Sequence, residues 1–130
     1  MTTAGAAQRN RRRGFDAERR LVELLESKGW RAFRVPASGA GGRLPDVFAV
    51  NNQRQELAAF EVKVTESRHV RVGALQLARL QLFVSAFKLY PIRSAVVAVH
   101  FPERGWVFRL APPTFSDLVV RDSDRSEWEP

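Results

Sequence analysis

The sequence predicts an α/β protein in which one mixed sheet of about five strands is flanked by helices. Its 130 residues, 45% of them hydrophobic, suit a single domain with a substantial core. Two long segments have helical character, and five shorter segments have the character of strands. Their order along the chain is helix, three strands, helix and two strands (αβββαββ), which is typical of a mixed sheet covered by helices.

The first half of the chain contains one helix and three strands. The helix is predicted over residues 15–28, and Gly29 follows it as a suitable stop. Strands are predicted at 30–35, 46–50 and 56–65, with a loop rich in Gly and Pro between the first two. The turn "NNQRQ" joins the second and third strands, so we expect these two to form a hairpin.

The second half begins with a polar link at residues 66–73. A long helix follows at 74–90 and ends before a proline. Two hydrophobic strands are predicted at 93–101 and 105–110, joined by the turn "PERG", and a short helix is predicted at 114–120. The sequence contains no internal repeat.

The predicted domain covers residues 14–120 and lies between two polar ends. Residues 1–13 contain four arginines and no core residue, so we expect a flexible basic arm, with an inert solvated tail as the alternative. Residues 121–130 are polar as well and are expected to form a loose C-terminal tail.

Charge and composition narrow the possible functions. The formal net charge is +7 and the isoelectric point is about 11.2, which favours a polyanionic partner, nucleic acid before an anionic membrane. Cysteine is absent, which excludes disulfides and thiolate metal sites and fits a reducing, cytoplasmic setting. No apolar run reaches the ~18 residues of a membrane span, and the N-terminus does not resemble a secretory signal.

A carboxylate lies in the middle of the apolar stripe of the first predicted helix. The apolar members of the stripe are Phe15, Leu21, Val22 and Leu25. Glu18 falls at the centre of the arc that they cover. Such a carboxylate is costly unless it is paired, hydrogen-bonded or bound to a cation. A structural ion pair with Arg19 or Arg34 is therefore one interpretation, and a functional site is the other.

The predicted hairpin carries the pattern P-D-x14-E-x-K. Asp46 opens one strand, and Glu61 and Lys63 share one surface of the next, because side chains alternate along a strand. Converging carboxylates suit Mg²⁺ or Mn²⁺, and a lysine beside them can orient a water or stabilise charge on a phosphate. With basic surroundings, the natural substrate is a phosphodiester.

Three segments make the sequence resemble a known family, the archaeal-type Holliday junction resolvases of the PD-(D/E)xK nuclease superfamily. They are G-x-x-x-E-R at 14–19, R-x-P-A-S-G at 34–39 and E-V-K-x-T at 61–65. The similarity runs from about Arg13 to Leu110. The resemblance implies a restriction-endonuclease-like core. It also implies a structure-selective endonuclease that resolves four-way DNA junctions by paired symmetric nicks with 5′-phosphate ends.

The resemblance also implies functional positions. The matching catalytic residues are Glu18, Ser38, Asp46, Glu61 and Lys63. The expected ligands of Mg²⁺, for which Mn²⁺ would substitute, are Glu18, Asp46, Glu61 and the backbone carbonyl of Val62. The expected DNA contacts are Arg11, Arg12, Arg13, Arg19, Arg34, Arg43, Arg68, His69 and Arg71. No membrane and no small-molecule cofactor are expected.

Two other functions stay open at this stage. One is a related nuclease of the same superfamily that cuts flap or duplex DNA. The other is a DNA-binding architectural protein without catalytic activity, against which the complete Asp46, Glu61 and Lys63 set argues.

The second predicted helix is apolar on two opposite faces, which indicates burial from both sides. One face contains Leu75, Ala78, Leu82, Ala86 and Leu89; the other contains Leu77, Leu80, Phe83, Val84, Phe87 and Tyr90. If the face with Leu82 and Leu89 packs on the sheet, Phe83 and Phe87 are left exposed in a monomer. We therefore expect a homodimer, as the resemblance also implies, with Leu80, Phe83 and Phe87 at the interface. Burial of the helix within its own domain is the alternative.

Overall fold

The computed structural model describes residues 4–36 and 44–130. Its elements are α1 (Ala4–Ser27), β1 (Arg31–Arg34), β2 (Val47–Asn51), β3 (Glu56–Val64), β4 (His69–Val72), α2 (Ala74–Ser85), β5 (Ile92–Phe101), β6 (Gly105–Leu110) and β7 (Leu118–Arg121). No helix of these two segments is both long and apolar enough to cross a membrane.

The main sheet has five strands in the order β1-β2-β3-β5-β6. Strands β3 and β5 run parallel, whereas β1–β2, β2–β3 and β5–β6 are antiparallel. The parallel pair is connected by a crossover that contains β4 and α2, as parallel strands require. The predicted mixed sheet of five strands and the hairpin of β2 and β3 are thereby confirmed.

The two helices cover opposite faces of this sheet. Leu21 and Leu25 of α1 are fully buried in one cluster with Phe60 of β3. Leu80 of α2 is buried in another cluster with Leu57 of β3. The alternation of side chains along β3 therefore divides its residues between the two helices. Burial of each large apolar side chain contributes roughly 1.5–3 kcal/mol.

Helix α1 begins much earlier than predicted, at Ala4 rather than near Phe15. Residues 4–13, which the sequence predicted as a basic arm, continue the helix. The ring of Phe15 is 49% exposed, and the guanidinium of Arg34 lies 4.8 Å from its centre. The buried apolar stripe of α1 therefore begins after Phe15, later than expected. Gly29 adopts a φ of 94° and ends the helical turn, as predicted.

Helix α2 packs on the sheet through the face opposite to the expected one. Its buried residues are Leu77, Leu80 and Val84. Leu82 and Leu89 of the other apolar face are 72% and 96% exposed, so the condition under which Phe83 and Phe87 would be left exposed in a monomer does not hold. Phe83 and Phe87 are partly buried and lie against Phe48 of β2. The helix also ends at Ser85, before the predicted end at residue 90.

A second, two-stranded sheet replaces two elements that the sequence predicted differently. The polar link at 66–73 contains β4, and the short helix predicted at 114–120 is wrong, since β7 pairs antiparallel with β4 there. Val72 and Val120 are fully buried with Val97 of β5. These contacts between distant segments override the local pattern of the chain.

The C-terminal segment 121–130, predicted as a loose polar tail, packs on the domain. Trp128 is buried in the core, with its ring 5.5 Å from that of Trp30. The guanidinium Nε of Arg109 donates a 2.6 Å hydrogen bond to Oε1 of Glu127. The segment therefore contributes to the core that the sequence assigned to residues 14–120.

Candidate active site

The hairpin of β2 and β3 brings Asp46 beside Glu61. Asp46 precedes β2, and its backbone N–H donates to the carbonyl of Phe60 at 2.9 Å. Its carboxylate Oδ2 accepts a 2.8 Å hydrogen bond from the backbone N–H of Val62. These two bonds extend the strand pairing by one residue and fix the carboxylate of Asp46 at the end of the hairpin.

Glu61 is a buried acid on the face of the sheet that α2 covers. Its Oε1 lies 3.4 Å from Nζ of Lys63 and accepts a 2.6 Å hydrogen bond from Nε2 of Gln76. Burial raises the pKa of Glu61 to about 7; repulsion from Asp46 adds to this shift and the charge of Lys63 opposes it. A cation at this position would favour the ionised form of both carboxyls.

Glu18 lies nearby on α1 and is turned toward β1. Its side chain is 14% exposed, and Nε of Arg34 donates to its Oε1 at 3.1 Å. Burial raises the pKa of Glu18; Arg34 opposes this shift, and repulsion from Asp46 adds to it. The ion pair considered from the sequence therefore forms with Arg34, whereas Arg19 pairs with Asp16. Glu18 is therefore close enough to Asp46 for the negative charges of the two carboxylates to repel each other.

The donor set at this end of the hairpin fits a hard divalent cation through two carboxylates. In the described parts of the chain, no three His, Cys, Asp or Glu side chains are gathered closely enough to hold a metal by themselves. Asp46 and Glu61 nevertheless repel each other, and a divalent cation relieves that repulsion with the oxygen ligands that Mg²⁺ and Mn²⁺ prefer. Ligand roles for Glu18 and the carbonyl of Val62 stay predictions.

The predicted DNA contacts on α1 lie on an exposed helix. Arg11 and Arg12 are exposed. Arg13 is about half exposed and forms a 2.9 Å ion pair with Glu66, in the segment that follows β3. Arg13 also borders a small cavity that Lys63 lines. Helix α1 thus places the positive charge of Arg13 beside the candidate site.

Three further residues predicted to contact DNA, namely Arg68, His69 and Arg71, lie just before β4 or on it. Arg68 and His69 are exposed, at and before the start of β4. Arg71 is bound instead by the carboxylate of Asp117. Ser38 and Arg43 lie outside the described residues.

Sequence reasoning missed Gln76 and Asp117. Gln76 lies four residues before Leu80, on the side of α2 that faces the sheet. A polar residue on a buried face is the signal that singled out Glu18, but both faces of α2 are apolar, so the sequence did not show on which face a polar residue would be buried. Asp117 carries no comparable signal, because its partners are more than forty residues away in the chain.

A mixed five-stranded sheet with two acids and a lysine at the end of one hairpin defines the class of restriction-endonuclease-like nucleases. Within that class, a family model described as archaeal Holliday junction resolvase matches residues 9–116. The chain belongs to this family.

Individual relatives agree with the family match. The crossover junction endodeoxyribonuclease Hje of Saccharolobus islandicus is 35% identical over 112 residues, which are 85% of this chain and 80% of the relative. Hje of Sulfolobus acidocaldarius is 39% identical over 95 residues, which are 72% of this chain and 66% of the relative. The solved structure of Hjc, a Holliday junction resolvase of Archaeoglobus fulgidus, is similar with a TM-score of 0.68 and 27% identity, over 85% of each chain.

Proposed function

We propose that this protein is a structure-selective endonuclease that resolves four-way DNA junctions. The observation that carries the proposal is the placement of Asp46, Glu61 and Lys63 together at the end of the β2–β3 hairpin, in a chain of the resolvase family. Arg13 of α1 and Lys63 line one small cavity at the candidate site, so a phosphodiester is the substrate that its charge favours.

Asp46 and Glu61 would hold the metal, Mg²⁺ with Mn²⁺ as substitute, and Glu18 and the carbonyl of Val62 are the further candidates. When bound, the cation supplies positive charge for the phosphodiester and Lewis-acid activation of the attacking water. The hydrogen bond from Val62 holds the Asp46 carboxylate in place, and the contacts of Glu61 hold the second carboxylate. We expect products with 5′-phosphate ends.

Lys63 provides a positive charge beside the two carboxylates of the site. Its ammonium lies 3.4 Å from Glu61 and its side chain is about one-third exposed, so it reaches both the carboxylate and an incoming strand. In this position the ammonium orients the attacking water or stabilises negative charge that develops on the phosphate.

Recognition of the junction depends on phosphate contacts and shape. Arginine contacts to phosphates carry no information about base sequence, so binding is expected to be salt-sensitive and largely independent of sequence. A homodimer with twofold symmetry would present two sites to a junction of near-twofold symmetry, which gives the paired nicks.

The decisive experiment is a substrate panel of junction, flap, nicked and linear DNA, with and without Mg²⁺. We expect Mg²⁺-dependent cleavage of the junction in preference to the others. Asp46→Asn, Glu61→Gln and Lys63→Ala should each abolish cleavage and leave junction binding largely intact. Glu103→Gln, at an exposed carboxylate on the turn between β5 and β6, is the control that should cut normally.

Each other outcome of the panel has a definite meaning. Preference for flap or duplex DNA would assign the protein to the related nucleases and reject junction resolution. Binding without cleavage under all metal conditions would indicate an architectural DNA-binding protein. Wild-type cleavage by any one of the three active-site variants would show that the assigned site is wrong.

A further inference from the structure

Gln76 is the neutral hydrogen-bond donor to the buried acid Glu61. Its Nε2 lies 2.6 Å from Oε1 of Glu61, the same oxygen that faces the ammonium of Lys63 at 3.4 Å. Both donors therefore act on one oxygen of the carboxylate.

The orientation of the Glu61 carboxylate has to be fixed by contacts with other residues. The terminal torsion of a glutamate side chain has a broad energy minimum, so the residue's own rotamer does not determine where each oxygen points. Lys63 is a long and partly exposed side chain, and it holds this orientation loosely. Gln76 projects from the first turn of a helix and provides the shorter contact.

The start of α2 is itself held by a residue from a distant part of the chain. Its N-cap residue is Gly73, which forms no side-chain cap. Asp117, just before β7, takes over this role, because its Oδ1 accepts a 2.8 Å hydrogen bond from the backbone N–H of Ala74. Its Oδ2 accepts from Nε of Arg71 on β4 at 2.9 Å. The small sheet of β4 and β7 is thereby connected to the helix turn that carries Gln76.

We propose that Gln76 is a positioning residue for the metal-binding carboxylate of Glu61, and that Asp117 supports it by capping α2. The proposal rests on the proposed function, since it concerns how the nuclease site holds its cation. Outer partners of metal ligands typically affect metal affinity by roughly 10–100-fold when they are removed. The small sheet is then part of the support of the active site.

The test compares two glutamines of the same helix. Gln76→Met keeps an unbranched side chain of similar length and removes the donor. Gln81→Met is the matched control, because Gln81 is also partly buried on α2 but donates to the backbone carbonyls of Ala111 and Pro112. We expect Gln76→Met to raise the Mg²⁺ concentration for half-maximal junction cleavage about 10-fold. Gln81→Met should change the unfolding temperature and leave the Mg²⁺ dependence unaltered.

Two further measurements separate this role from other failures. Titration of the DNA-free protein with Mn²⁺, followed by electron paramagnetic resonance, should show the same loss of affinity in Gln76→Met, whether or not the wild type cuts junctions. Failure of the proposed function would appear as an inactive wild type, whereas failure of this inference would appear as unchanged Mn²⁺ binding.

Asp117 gives an independent test if Gln76→Met does not fold. Asp117→Ala removes the cap of α2 at an exposed position and should weaken Mn²⁺ binding in the same direction. Asp117→Asn keeps an oxygen acceptor for Ala74 and should restore most of that binding. Wild-type Mn²⁺ affinity in Gln76→Met would overturn the proposal, and so would an equal loss in Gln81→Met. If Gln76→Met does not fold, wild-type Mn²⁺ affinity in Asp117→Ala overturns it instead.

Discussion

At Glu61, burial and the negative charge of Asp46 shift the pKa in the same direction. Burial and repulsion from Asp46 favour the protonated acid, and Lys63 alone among these three influences favours the ionised form. Glu61 and Lys63 were predictable because side-chain alternation places them on one face of the same strand, and Asp46 because the predicted hairpin brings its strand beside theirs. Gln76 was missed because its contact with Glu61 depends on which face of α2 packs on the sheet, and both faces of that helix are apolar.

The raised pKa of Glu61 predicts a pH-dependent stability of the metal-free protein. Its folded pKa of about 7 exceeds the ordinary value of 4.5, so its contribution to the free energy of unfolding is fully present below pH 4.5 and is lost as pH rises through 7. The loss is at most roughly 3 kcal/mol. Urea denaturation in the presence of a chelator should show this loss in the wild type and not in Glu61→Gln.

The control for this experiment is Glu103→Gln, at an exposed carboxylate, which should follow the wild-type profile. Addition of Mg²⁺ above pH 7 should recover stability in the wild type, because the cation favours the ionised site. Parallel pH profiles for the wild type and Glu61→Gln would contradict the raised pKa of the buried Glu61.

At the level of helices and strands, predictions succeeded where the pattern of one segment was sufficient. The β2–β3 hairpin has alternating side chains and a clear turn, and both features are local. Strands β4 and β7 were missed, because they are stabilised by pairing with each other across the chain and not by a pattern within one segment. The orientation of α2 was wrong because both of its faces are apolar, so contacts with Phe48 decide which face is buried.

The N-terminal half of α1 should contribute to DNA binding through its charge. Deletion of residues 1–12 removes Arg11 and Arg12, which are exposed on the helix, and leaves the buried stripe of α1 in place. Junction binding should weaken, and the slope of log K against log salt should flatten by roughly 0.9 for each phosphate that the variant no longer neutralises. Fluorescence anisotropy across a salt series measures both quantities.

The unfolding temperature of this deletion variant should remain close to that of the wild type, because the segment contributes no residue to the described core clusters. An unchanged salt slope together with unchanged affinity would identify the segment as an inert tail, the alternative that the sequence left open.

On the scale of the whole molecule, a group of four aromatic rings joins β1, β2 and α2 at the surface. Phe33, Phe48, Phe83 and Phe87 are linked by ring contacts with centroid distances of 5.3–6.1 Å. Phe33 is 47% exposed, and Phe48, Phe83 and Phe87 are only partly buried. Leu80, which was predicted to contact a partner, is instead buried in its own core. The rings of Phe83 and Phe87 therefore remain the better candidates for a subunit contact.

We expect this aromatic group to form the twofold interface of a homodimer. Full burial of one such ring is worth roughly 1.5–3 kcal/mol, and a twofold contact counts each residue twice. Only part of this free energy remains to be gained, because Phe48, Phe83 and Phe87 are already partly buried in the monomer. Phe83→Ala combined with Phe87→Ala should give a folded protein that dimerises weakly and loses paired nicking more than single nicking. Sedimentation across a concentration series measures the first effect, and a cruciform plasmid assay measures the second.

The matched control is Leu82→Ala, because Leu82 is the most exposed apolar residue within α2 and lies on its opposite face. If the aromatic group is the interface, this substitution leaves the dimer intact. A dimer that survives loss of both phenylalanines but is weakened by Leu82→Ala would move the subunit contact to the outer face of α2. Phe83 and Phe87 would then serve only to pack that helix on Phe48, and the surface left exposed by the reversed orientation of α2 would be the one that a second subunit covers.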